Sequence, residues 1–184
     1  MDERRAKILA VAAELFATRG YTPSTVDEIG TAAGISGPAL YRYFPNKQAL
    51  LDEICLSSFQ SLSNSASAIV REGTDPSETL ARLIAMRVEF AYGPHRRAFV
   101  ILQAADTTLS SGAARKLAAM RELYKAEWMR VVAEVRPDSP TEEIQVAWFA
   151  SQILIGYMQD SAEIRDENEH RRHFERMAMA VLLA

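Results

Sequence analysis

The sequence predicts an all-α protein of about nine helices, and three observations carry that expectation. Apolar residues recur at intervals of three and four along most of the chain, as a helix with one buried face requires. No segment shows the strict polar–apolar alternation of a half-buried strand. Glycine and proline fall between the periodic segments, at Gly20, Gly34, Pro45, Gly73, Pro76, Gly93, Pro94, Pro137 and Pro140, where helices end. The 184 residues are 48% apolar and 24% charged, enough for a real core. No apolar run reaches the roughly 18 residues that cross a bilayer, so no membrane partner is expected. The charged start, Met1 to Lys7, does not read as a secretory signal. A single cysteine, Cys55, excludes an internal disulfide framework and fits a reducing, cytoplasmic location.

The first helix, about 3–19, sets Ile8, Ala12, Leu15 and Phe16 at helical spacing and stops at Gly20. Thr25-Val26-Asp27-Glu28 is a capping box, which opens a second helix over 25–33. Val26, Ile29 and Ala33 share its inner face, and Gly34 supplies a left-handed end. Ser36 caps a third helix, about 36–43, with Pro38 tolerated in its first turn and Leu40 pointing inward. Asn46 caps a fourth, about 46–70, with Leu50, Leu51, Ile54 and Leu62 on its apolar face. Its serine-rich later part, Ser57 to Ser67, marks either close helix packing or hydroxyls lining a cavity. Helices follow over about 77–91, 95–106, 113–135 and 142–164, and a last one over 170–183 after an acidic linker, Asp166 to Glu169. The 142–164 segment is apolar nearly all round, so it must be covered on more than one side.

Two short helices joined by a glycine-containing bend form a helix-turn-helix, whose second helix can enter a DNA major groove. The string Leu40-Tyr41-Arg42-Tyr43-Phe44-Pro45-Asn46-Lys47, followed by Ala49-Leu50-Leu51, adds to that signal. Together with Ile8-Leu9-Ala10, Leu15-Phe16-Ala17, Gly20-Tyr21 and Thr25 to Ile29, it resembles the DNA-binding region of the TetR (tetracycline-repressor-like) transcriptional regulators. The resemblance covers the first quarter of the chain. It implies a DNA-binding domain over 1–47 and a ligand-binding and dimerisation domain over 48–184, linked by helix 46–70. Candidates for base readout are Ser36, Gly37, Pro38, Tyr41 and Arg42, in the first part of the reading helix. Many relatives carry Lys or Arg near Gly37 or Pro38; this chain does not, and Pro38 suits a thymine methyl instead. Tyr43 stands where the family commonly meets phosphate. Thr25 and Lys47, each at a helix N-terminus, are placed for phosphate as well. Arg4, Arg5 and Lys7 face either phosphate or only solvent. The net charge of −3 divides into +1 before residue 48 and −4 after it, so placed groups rather than a broad basic field must hold DNA.

A repressor of this kind reads two half-sites about one helical turn apart, hence a palindromic double-stranded operator and a homodimer. The candidate dimer residues are Ala147, Ser151 and Ile155, with Phe174, Met177 and Val181 on the final helix; helix 142–164 is equally readable as a core strut. The resemblance implies a small-molecule effector. Its candidate lining is Phe59, Met86, Phe90, Phe99, Gln103, Tyr124, Trp128, Trp148 and Gln152, which suits a largely apolar ligand, though aromatics at helical spacing also build ordinary cores. His170 and His173 could share a helix face, but Arg171 and Arg172 between them disfavour a metal. No cofactor is expected, and no nucleophile–base pair, phosphate loop or carboxylate pair has a context for catalysis. The sequence therefore predicts a ligand-responsive repressor. The alternative is a helical small-molecule binding protein without DNA binding.

Overall fold

In the computed structural model, residues 3–93, 96–104, 108–157 and 167–184 are described. Among them every regular element is helical: α1 (Glu3–Arg19), α2 (Val26–Ala33), α3 (Gly37–Leu40), α4 (Lys47–Glu72), α5 (Pro76–Tyr92), α6 (Arg96–Ala104), α7 (Ser111–Val135), α8 (Thr141–Tyr157) and α9 (Glu167–Leu183). The helix starts follow their caps. Thr25 Oγ1 accepts from the Glu28 amide, Ser36 Oγ from Ala39, Asn46 Oδ1 from Ala49, and Asp75 Oδ1 from Glu78.

Two elements differ from expectation. α3 is shorter than 36–43, because Arg42 and Tyr43 donate three residues back, to Ala39 and Leu40, and the chain tightens into a turn. Pro45 lies just beyond and disfavours the helical conformation in the residue before it. The acidic stretch read as a linker belongs, from Glu167 onward, to the first turn of α9. Carboxylates are favoured there by the positive end of the helix dipole. The last part of the expected 142–164 helix, and His95, lie outside the described residues.

The chain divides into two compact units. The first joins Met1–Phe59 with Arg97–Ala118; the second joins Gln60–Arg96 with Ala119–Ala184. The division therefore does not follow residue 47. α4 belongs to both units, and the stretch before α7 belongs with the helix-turn-helix because its backbone is bonded to the start of α4. In the first unit α1 packs on α2 and α2 on α3. Ile8, Ala12, Phe16, Ile29, Leu40, Phe44, Leu50 and Leu51 are its buried side chains. In the second, α5, α8 and α9 pack on one another. Leu80, Leu83, Ile84, Trp128, Val132, Ile144, Ala178 and Leu182 are buried there.

Leu40 is the inward residue of a one-turn helix and is fully buried. Leu40→Ala is expected to cost about 2–5 kcal/mol, the range for truncating a buried leucine. Chemical denaturation of the variant would measure it. A cost near zero would mean that α3 is not held through this side chain.

Candidate nucleic-acid interface and effector site

The short helices of the first unit are too brief to persist alone, so their geometry comes from caps and braces. At α2 the capping box is complete. Thr25 Oγ1 accepts from the Glu28 amide at 3.2 Å, and Glu28 Oε2 accepts from the Thr25 amide and hydroxyl, each at 2.9 Å. Those bonds, the backbone one foremost, hold the Glu28 carboxyl below its usual range, with Arg19 adding to the effect. Gly34 ends α2 with φ +77°, a left-handed conformation glycine adopts without a Cβ penalty. A Cβ built at Gly37 would lie 2.0 Å from Asp27 Oδ1, so α3 starts against α2 at a distance only glycine permits unless Asp27 moves.

The cations of this unit divide into braces and exposed groups. Arg5 donates from Nε to Glu53 at 3.0 Å, pairs with the same carboxylate through Nη2, and donates from Nη1 to the Tyr43 carbonyl at 2.8 Å. Its guanidinium also sits 4.2 Å over the Phe44 ring. Arg5 therefore holds the turn that follows α3. Lys47 Nζ donates to the carbonyls of Tyr21, Thr22 and Ser24 at 2.9, 3.1 and 2.8 Å, which occupies all its protons. It lies 4.4 Å over the Tyr21 ring. Lys47 clamps the loop before α2. Arg42 is exposed and meets no acceptor among the described residues. Beside it Ser36, Pro38, Tyr41 and Thr25 are exposed, while Gly37 and Tyr43 are half-buried. Tyr41 keeps 53% of its surface accessible.

The expected effector residues fall in both units. Phe59 is buried in the first. In the second, the structure brings Gln152 and Tyr124 to a residue absent from the expected set, Arg87, with Trp128 beside the Tyr124 ring. Arg87 is 7% exposed, and its Nε donates to Gln152 Oε1 at 3.1 Å. Burial lowers its pKa, and the charge it keeps acts on the Tyr124 hydroxyl. Burial pushes the Tyr124 phenol up to about 12, against the opposing pull of Arg87. The Tyr124 and Trp128 rings are 6.0 Å apart. Phe90 is buried and Met86 half-buried. Trp148 is half-buried and carries Lys125 Nζ 5.8 Å over its ring. Phe99 and Gln103 fall on α6 and Ile155 of the expected dimer face on α8, with side chains outside what is described. Among the described residues no three His, Cys, Asp or Glu gather as a metal site.

Of the other dimer candidates, Met177 is exposed, and Ala147, Phe174 and Val181 are half-buried. Ser151 is 1% exposed, with its hydroxyl on the Trp148 carbonyl at 2.6 Å, so it faces inward and cannot lie on an outer face. Among the described side chains of α8 the large exposed apolar ones are instead Val146, Phe149 and Ile153, spaced i, i+3, i+7 on one side. Sequence reading missed them because an all-apolar helix shows no preferred face.

Residues 8–54 match the model of the bacterial regulatory proteins of the tetR family. The HTH-type transcriptional repressor KstR2 of Rhodococcus jostii (strain RHA1) is 28% identical over 160 residues, covering 86% of this chain and 76% of that protein. The HTH-type transcriptional activator FasR of Mycolicibacterium smegmatis (strain ATCC 700084 / mc(2)155) is 33% identical over 89 residues, 48% of this chain and 41% of its own. A TetR-family transcriptional regulator from Bordetella parapertussis 12822 superposes with a TM-score of 0.88 at 20% identity, covering 99% of this chain and 95% of that one. AibR, solved with isovaleryl coenzyme A and operator DNA, superposes at 0.81 and 20% identity, covering 95% and 97%. At such identities the structures establish a common fold.

The capping box gives a pH test. A carboxylate whose pKa is lowered on folding contributes stability above its unfolded pKa and loses it as pH falls through the folded value. The Glu28 carboxyl is expected to titrate below the usual glutamate range by NMR. Thr25→Ala, which removes the hydroxyl but keeps the backbone donor, should move it part of the way back up. A Glu28 that titrates normally in the intact protein would mean the box does not form in solution.

Proposed function

We propose that this chain, a TetR-family transcriptional regulator, represses transcription as a two-fold dimer and leaves its operator when a small-molecule effector binds. The observation that carries the DNA reading is the surface of α3. Pro38 stands exposed on α3, and Tyr41 and Arg42 on the turn that follows it; Lys47 clamps the loop before α2 and Arg5 holds the turn after α3. A reading helix must be held rigidly, because a base contact depends on fractions of an ångström. In this reading Arg42 meets phosphate or a guanine edge, and Pro38 meets a thymine methyl. Tyr41, Tyr43 and Ser36 approach the backbone, with Gly37 allowing close approach, while Thr25 and the amides at the start of α2 meet phosphate. Lys47 contributes through the loop it clamps.

Repression follows a relative that spans 86% of this chain and is named a repressor. The effector reading is supported by Phe90, Tyr124 and Trp128, which offer an apolar aromatic surround, and by Arg87 and Gln152, which add a polar anchor. The effector is accordingly a largely apolar molecule with at least one hydrogen-bonding group. α4 supplies residues to both units, so one continuous helix is available to carry a change between them. Val146, Phe149 and Ile153 on α8, with Met177 on α9, form the face that a second copy would cover, the same patch serving both subunits.

Binding to duplex DNA from its own promoter region, measured across a salt series, tests the proposal. Arg42→Ala should weaken binding and reduce the slope of log affinity against log salt by about 1, the effect of losing one phosphate contact. If the double change Tyr41→Ala and Arg42→Ala left affinity intact, α3 would not be the reading element. A chain that shifts no duplex but still binds small molecules would be the helical binding protein of the alternative reading.

The dimer has its own test. Phe149→Glu is expected to give a monomer in sedimentation and to lose operator binding along with the second half-site. A variant that sediments like the parent would place the interface elsewhere.

A further inference from the structure

Gln48 and Asp52 lie one turn apart on the same face of α4, inside the first unit. Both are half-buried. Gln48 Nε2 donates to Asp52 Oδ1 at 2.9 Å and to the Thr108 carbonyl at 2.8 Å. Asp52 Oδ1 also accepts from the Ser110 amide at 3.1 Å. Ser110 Oγ in turn accepts from the Ala113 amide at 3.3 Å and so caps α7. On its other side Gln48 Oε1 accepts from the Tyr21 hydroxyl at 3.2 Å. Tyr21 stands in the loop that Lys47 clamps, four residues before the cap of α2. An unbroken set of hydrogen bonds therefore runs from the cap of α7, through Asp52 and Gln48, to the loop that sets α2.

We propose that Gln48 and Asp52 are positioning residues that tie the Thr108–Ser110 stretch to the DNA-reading helices, so that the order of that stretch and operator affinity are linked. The inference rests on the DNA reading proposed above. Its physical content is reciprocity: if ordering Thr108–Ser110 favours the reading geometry, operator binding must order Thr108–Ser110 by the same free energy. Two features make the connection strong. Thr108 and Ser110 contribute main-chain groups, which rotation of a side chain cannot remove from the set. Gln48 is polarised at both ends, since its amide nitrogen donates twice while its oxygen accepts from Tyr21. Burial and the Asp52 carboxylate both raise the Tyr21 pKa, which keeps that hydroxyl a donor.

The test combines affinity with hydrogen exchange, on the full chain and a duplex from its own promoter region. In the parent protein the duplex is expected to slow exchange of the peptide carrying Ser110. Gln48→Ala with Asp52→Ala should lower affinity by roughly 5-fold to 150-fold, the range of ordinary couplings. The salt slope should stay unchanged, because no phosphate contact is lost. The DNA-induced slowing at Ser110 should vanish. Asp52→Asn keeps an acceptor oxygen and should restore most of the effect, while Tyr21→Phe, which removes one hydroxyl and keeps the ring under Lys47, should remove part of it. Should the double variant fold poorly, Tyr21→Phe alone decides the question through Ser110 exchange. A parent protein that binds the duplex with no change at Ser110 overturns the proposal, as does a double variant with parental affinity. A parent protein that binds no duplex overturns the DNA reading instead, and the linkage falls with it.

Discussion

Three backbone carbonyls, those of Tyr21, Thr22 and Ser24, converge on one ammonium. The rest of the reading module depends on that convergence. A loop that turns its carbonyls toward one point creates acceptors that must be satisfied. Lys47 satisfies them from the first position of α4, with its ammonium also over the Tyr21 ring. The loop then delivers Thr25 in the extended conformation an N-cap needs. α2 follows from its capping box, Gly34 turns the chain, and α3 follows from Ser36. α2 and α3 are eight and four residues long. Helices of that length are marginal in water, so their placement is a property of these braces and of the buried Ile29, Leu40 and Phe44.

The same economy explains how a chain of net charge −3 could present the DNA-reading surface proposed above. Cations that composition would assign to phosphate are used inside the protein. Arg5 is shared among a carboxylate, a carbonyl and a ring, and Lys47 among three carbonyls. What faces outward near α3 is one guanidinium, a tyrosine ring, hydroxyls and helix ends. Binding built from such parts draws more on fit and on fixed dipoles than on long-range attraction. Its dependence on the bracing is correspondingly greater, since a surface with few contacts has none to spare when one is displaced.

The second unit is organised around a different constraint. Arg87 lies among apolar side chains, where a charge is costly unless it is hydrogen-bonded. Gln152 supplies an acceptor from α8, and the Tyr124 hydroxyl from α7 lies within its field. Three helices thereby meet at a polar point inside an apolar body. Such a point fixes the register of the helices that share it, and it is where an interior could recognise a polar group on a ligand. The exposed stripe of Val146, Phe149 and Ile153 on α8 shows the complementary fact, that the described residues leave one face of this helix uncovered.

By itself the sequence determined the helices, the caps and the helix-turn-helix. Periodicity, Thr25, Ser36, Asn46 and Gly34 are local signals, and local hydrogen bonds and backbone preferences are set by residues a few positions apart. It missed the end of α3, where the effect of Pro45 on its neighbours outweighed helical spacing, and it took the first turn of α9 for a linker. Only the tertiary structure decided the use of each charged side chain. Arg5 meets Glu53 across 48 residues, Gln48 meets Thr108 across 60, and Arg87 meets Gln152 across 65. Periodicity could rank Arg87 only as one more position on a helix face, and it could not separate buried Ser151 from exposed Phe149 on a helix apolar all round. Partners so distant in the chain leave no spacing to read, because the distance between them is set by how whole helices pack.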